Sequence, residues 1–204
     1  MERLNNSEII KRLNSQGLSL FTIFDFKKLF AIKKDNTTYK TIARLTKKGI
    51  LKRLTKKKYL FSLSSVDDFQ ITNFLYSPSY ISLETALSFY GIITQFPYQI
   101  TSITPRKTKT INALNKEFAY FHIKQDLFFG YEKKESFLIA LPEKALLDYF
   151  YFCSKGLRNF EKDDFDLTKI NKKIFAKFLK IANDKALNKF LDKMKINLCL
   201  LKAN

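Results

Sequence analysis

The 204-residue chain is 46% hydrophobic and holds 21 Phe and 10 Tyr against 5 Gly and 4 Pro. That composition can bury a core and excludes a disordered or low-complexity chain. The formal net charge is +18 and it is concentrated: residues 1–64 hold 16 Lys and Arg against 4 Asp and Glu, a net of +12, and residues 65–204 carry the remaining +6. A small, strongly basic module of this kind suits nucleic-acid phosphates. Residues 1–6 lack the apolar stretch of a secretory signal, and the most apolar segment, residues 145–153, is interrupted by Asp148 and too short to span a bilayer. A cytoplasmic protein with no membrane partner is the expectation.

In chain order, residues 7–15 are expected to form a first helix with Ile9, Ile10 and Leu13 on one side, Ser7 as its N-cap and Gly17 as its stop. Leu20 and Phe21 make a short pairing segment. Residues 24–30 make a second short helix with Phe26, Leu29 and Phe30 inward, and Lys33-Lys34-Asp35-Asn36 is a turn. Residues 37–48 form a third helix, closed by Gly49. At about 100° per residue, Thr38, Ile42 and Leu45 share one face. Thr37, Lys40, Thr41, Arg44 and Lys48 share the opposite face, with Lys47 at its edge. A recognition helix needs that division, because the apolar stripe anchors it while cations and hydroxyls reach phosphates and base edges. A solvated basic face on an ordinary helix would read the same way.

The next segment favours the first reading. Residues 50–54 and 59–63 are short apolar runs separated by Thr55-Lys56-Lys57-Lys58, a β-hairpin with a lysine tip and Arg53 on its first strand. A hairpin wing after a recognition helix lies on the backbone or in the minor groove, where each cation adds a salt-sensitive phosphate contact. Residues 1–64 are therefore read as a winged helix-turn-helix bound to operator double-stranded DNA. Its contacts are Thr37, Lys40, Thr41, Arg44, Lys47, Lys48, Arg53, Lys56, Lys57 and Lys58.

Residues 62–68 form a polar joint, and residues 65–204 are read as a second domain. Residues 68–76 fit helix or strand. Ser82 caps a helix through Tyr90, ended by Gly91. Strand-like runs follow at residues 98–104, 117–123, 127–131 and 136–141, with the basic stretch Pro105-Arg106-Lys107-Thr108-Lys109-Thr110 after the first. Pro142 starts a helix running to about Phe152. Residues 166–181 and 184–195 are amphipathic helices. The expected class is α+β, with helices packed on a mainly antiparallel sheet.

The string Tyr80-Ile-Ser-Leu-Glu-Thr-Ala-Leu-Ser-Phe-Tyr-Gly-Ile-Ile93 and the later Ala140-Leu-Pro-Glu-Lys-Ala-Leu-Leu-Asp148 resemble motifs of the AbiEi family of antitoxins from type IV bacterial toxin–antitoxin systems. Pro105-Arg106-Lys107-Thr108 and Leu127-Phe128-Phe129-Gly130-Tyr131 also fall where that family has similar segments. The resemblance spans roughly residues 20–152 and departs at the hairpin tip, where Lys57-Lys58 stand before Tyr59 in place of the family's frequent Gly. It implies an N-terminal winged helix that represses the protein's own operon. It also implies a second domain that counters a cognate AbiEii-type nucleotidyltransferase toxin, by contact or indirectly. A plain transcriptional regulator with a ligand-sensing or dimerising second domain is the alternative, and an RNA-binding accessory protein or transferase subunit is a third.

Enzyme chemistry has little support in the sequence. There is no Gly-rich phosphate loop, GxSxG, HExxH or kinase-like set. The one histidine, His122, and two cysteines, Cys153 and Cys199, without a CxxC, cannot build a zinc site, and no cofactor is expected. His122 is read as structural or superficial, Cys153 as a buried apolar residue and Glu84 as exposed or capping. Glu143 and Asp148 lie five apart and off a common helix face, so a carboxylate pair is not expected. Arg106, Lys107 and Lys109 are candidates for contact with a toxin or nucleic acid, against the simpler reading of a solvated loop.

Overall fold

The computed structural model describes residues 5–194, which form an α+β protein with eight α-helices, one antiparallel sheet and one mixed sheet. Lys195, the last residue of the expected final helix, and Cys199 lie outside the described residues. The chain divides into two compact units, one running to Leu75 together with Ala113–Asn115, the other taking the remainder.

In the first unit, α1 (Asn6–Ser15) is capped by Asn5, whose side chain accepts from the Ser7 amide, two residues before the expected Ser7 cap. β1 (Leu20–Thr22) leads directly into α2 (Ile23–Leu29) through a capping box, in which Thr22 and Asp25 satisfy each other's backbone amides. α3 (Asp35–Lys47) starts two residues before the expected Thr37, with Asp35 in its first turn where the helix dipole favours an acid. Gly49 (φ +73°) then turns the chain into β2 (Leu51–Thr55) and β3 (Lys58–Phe61). The sheet order is β1-β3-β2, all antiparallel. Its inner face and the three helices bury Ile9, Leu13, Phe21, Phe26, Ile42, Leu45 and Phe61 in one cluster.

α4 (Asp68–Leu75) belongs to this first unit, so the boundary lies at residues 75/76 and not at 64/65. Lys58 supplies the reason. Its Nζ donates to the Phe74 and Leu75 carbonyls at the C-terminal end of α4 (2.6 and 3.1 Å) and lies over the Phe74 ring. A cation there satisfies carbonyls that the helix leaves unpaired.

The second unit holds β4 (Tyr80–Ile81), α5 (Leu83–Phe89), β5 (Ile100–Thr104), β6 (Lys109–Ala113), β7 (Lys116–His122), β8 (Tyr131–Lys134), β9 (Phe137–Ala140), α6 (Pro142–Ser154), α7 (Lys172–Ala182) and α8 (Lys185–Lys193). The sheet order is β6-β7-β5-β4-β9-β8. It is mixed, which corrects the expectation of a mainly antiparallel sheet: β5–β7 and β4–β9 are parallel, β4–β5 and β8–β9 antiparallel. The two-residue β4 is too short to carry a period-2 pattern, yet it joins the two halves. Residues 127–130 are not strand. Gly130 sits at φ +71° with the Lys144 stem against it, and the Phe128 and Phe129 rings pack on Tyr80 and Phe178. α7 starts at Lys172, later than expected, because the Asn171 side chain caps the Lys173 and Ile174 amides. α6 is buried along nearly its whole length, with Pro142 in its first turn.

Candidate nucleic-acid interface

α3 buries Thr38, Ile42 and Leu45, the anticipated inner stripe. Its exposed residues are Asp35, Asn36, Tyr39, Lys40, Ala43 and Lys47, and the C-cap Lys48 is exposed as well. Thr37, Thr41 and Arg44 are half-buried on one flank, and the Arg44 guanidinium donates to Asn6 Oδ1 of α1 (2.6 Å). The outward stripe is therefore rotated toward Lys40 and Lys47, and Arg44 braces α3 on α1.

The hairpin turn is tighter than the four-residue tip the sequence suggested. Thr55 pairs with Lys58, so only Lys56 and Lys57 form the turn, and Lys57 sits at φ +69°. Its Nζ lies 5.2 Å from the centre of the exposed Phe24 ring. Lys56 and Arg53 are exposed, and the Arg53 Nε donates to the Thr55 carbonyl (3.4 Å). Lys58 is committed to α4. Of the ten predicted DNA contacts, Lys40, Lys47, Lys48, Arg53 and Lys56 are the exposed cations on these two consecutive elements.

The stretch Arg106–Lys109 is a built turn. The Arg106 guanidinium lies 4.4 Å from the centre of the Tyr76 ring and donates to the Ser77 carbonyl (2.9 Å), while its amide is held by Thr104 Oγ1. The Lys109 ammonium lies over the same ring, 5.4 Å from its centre. The Tyr76 hydroxyl donates to the Lys107 carbonyl, and the His122 amide donates to Thr108 Oγ1. The Arg106 carbonyl bonds His122 Nδ1 at 2.9 Å. A carbonyl only accepts, so Nδ1 carries a proton there. Tyr76, Pro105, Arg106, Lys107, Thr108 and His122 line an open cavity of about 630 Å³.

The resemblance motifs meet elsewhere, inside the second unit. Lys144 and Asp148 are each 1% exposed and form an ion pair one turn apart on α6. Tyr80 and Ser82 hydroxyls both donate to Asp148 Oδ2 (3.0 and 2.8 Å), and Lys144 Nζ also donates to the Tyr80 oxygen. Burial pushes the Asp148 carboxyl up and the Lys144 ammonium down, each opposed by the other's charge, and burial likewise raises the Tyr80 hydroxyl. Ser82 holds the N-cap position of α5, yet its hydroxyl serves Asp148 instead of capping the helix. Glu84 is half-buried against Arg158, contrary to the expected exposed or capping role. Sequence reasoning compared Glu143 with Asp148 and passed over the Lys144–Asp148 spacing of four, the signal that finds this pair. Glu143 instead accepts from the Asn171 amide. Cys153 is buried, and burial lifts its thiol to about 12. Among the described residues no cluster of His, Cys, Asp and Glu could hold a metal ion, and no helix is long and apolar enough to cross a membrane.

No family model matches the chain. No curated protein matches it either. Among solved structures it is similar to the RV2827C protein of Mycobacterium tuberculosis, with a TM-score of 0.62 at 14% identity over 94% of this chain and 78% of that one. At that identity the likeness shows a shared fold.

Proposed function

We propose that the chain is an antitoxin of the type IV class that represses its own operon through an N-terminal winged helix-turn-helix. One observation carries the DNA-binding half. α3 is anchored through Thr38, Ile42 and Leu45 and runs straight into the β2–β3 hairpin, and the exposed cations Lys40, Lys47, Lys48, Arg53 and Lys56 stand on these two elements in succession. α3 is the recognition helix and the hairpin the wing, with phosphate contacts dominating affinity. The second unit counters a nucleotidyltransferase toxin. That half rests on the resemblance of residues 80–93 and 140–148, whose polar members Tyr80, Ser82, Lys144 and Asp148 form the buried framework of the unit. No catalysis and no cofactor are assigned.

Co-expression with the product of the adjacent gene tests both halves. The full chain and its Lys40→Ala/Lys47→Ala variant should both restore growth, while only the full chain retards an operator fragment. Operator binding without any growth rescue would leave a plain transcriptional regulator. Rescue lost with operator binding would make repression the protective route.

A further inference from the structure

We propose that the cavity lined by Tyr76, Pro105, Arg106, Lys107, Thr108 and His122 receives one unpaired nucleotide of a single-stranded nucleic acid, its phosphate on Arg106 and Lys107. Three observations lead there. The first is preorganisation. Arg106 is already fixed by the Tyr76 ring and the Ser77 carbonyl, and the latter takes one of its five N–H donors. A long cation held in place before binding loses less side-chain freedom when an anion arrives. The second is the mix of groups. Two cations and a hydroxyl suit a phosphate, and the apolar Pro105 ring and the planar guanidinium suit a base or ribose. His122 Nδ1 donates to the Arg106 carbonyl, which leaves Nε2 for a ligand.

The third observation is shape. The open cavity of about 630 Å³ has room for a small ligand to seat on it. Bases stacked in a duplex cannot enter a bowl, whereas an unstacked nucleotide can. An acidic peptide would satisfy the cations but leave the apolar ring and the guanidinium plane unused. The inference does not depend on operator binding by α3.

Fluorescence anisotropy of the full chain with labelled oligo(U) and oligo(dT) dodecamers, and with a duplex DNA, tests it. Lys107 is exposed and its side chain carries no structural contact in the turn, so Lys107→Glu should fold as the parent does. That variant should weaken single-strand binding about tenfold and change duplex binding less than about twofold. Arg106→Lys keeps the charge but loses the planar fork, and should weaken single-strand binding by a smaller factor. Tighter binding of oligo(U) would identify RNA through its 2′-hydroxyls, and equal binding would identify phosphate and base alone; either supports the site. Absence of single-strand binding would overturn it. So would an equal loss on duplex and single strand, or competition by a poly-glutamate peptide as effective as by the unlabelled oligonucleotide.

Discussion

The lysines of α3 and Lys144 put one side chain to opposite uses. Lys40 and Lys47 stand in solvent on a helix whose inner face is apolar, and their charge is hydrated and free to meet phosphates. Lys144 is 1% exposed, with Asp148 one turn away and the Tyr80 oxygen as its partners. An exposed cation costs the fold little and can be removed at little cost. A buried one is part of a closed polar network, and removing any member strands the rest. The first region is where binding should be sought, and the second is where stability should be sought.

The largest effect expected from this contrast is on folding. Asp148→Ala leaves Lys144, Tyr80 and Ser82 buried without their common acceptor, and should cost roughly 3–5 kcal/mol in urea denaturation. Lys144→Met/Asp148→Leu/Tyr80→Phe removes both charges and one of the two hydroxyls together and should recover most of that loss. If the triple variant is as unstable as Asp148→Ala, shape at these positions matters more than charge. The pair also predicts a pH dependence. Burial raises Asp148 above its unfolded value of 3.8, so the folded chain holds that proton more tightly. The stability this contributes is fully present below 3.8 and is lost as pH rises through the raised folded value. Lys144 is lowered from 10.5, so its contribution is present above 10.5 and is lost as pH falls. Relative to the triple variant, the parent chain should therefore gain stability toward acid pH and toward strongly alkaline pH, and be least favoured between.

The same contrast explains what could be read from sequence. Apolar periodicity located α3 and its buried stripe, because Thr38, Ile42 and Leu45 differ in kind from Lys40 and Lys47. It could not place Arg44 or Lys58. Both look like surface cations in the sequence, and their partners, Asn6 and the end of α4, lie 38 and 16 residues away. In the second unit the motif strings were legible as strings, but their meaning depended on β4, two residues long, which brings Tyr80 beside α6. The mixed sheet stayed hidden for a related reason: the parallel pair β4–β9 joins segments more than fifty residues apart, and no local pattern encodes it.

On the exposed side, Lys40→Ala/Lys47→Ala should leave thermal unfolding within about 0.5 kcal/mol of the parent. It should weaken operator binding and reduce the slope of log affinity against log salt by about two, close to one unit per phosphate lost. An unchanged slope would move the DNA-binding face away from α3. A large drop in stability would mean that these side chains are packed, contrary to their exposure.

A smaller effect than the loss of Asp148 is expected at the capping box between β1 and α2. Thr22 Oγ1 accepts from the Asp25 amide (3.2 Å), and Asp25 Oδ2 accepts from both the Thr22 amide and its hydroxyl (2.7 Å each). Thr22 is half-buried and Asp25 exposed, so water can reach the box and replace part of its bonding. Thr22→Ala should cost about 1 kcal/mol, a fall of about 4–8 °C in the Tm of a unit this size. Thr22→Ser keeps the hydroxyl and loses only the methyl, and should recover most of the difference. If Ser and Ala are equally destabilising, the role of Thr22 is its strand pairing with Lys58 and not its cap. The cost then belongs to the sheet that holds the hairpin, and hairpin contacts with DNA should weaken with it.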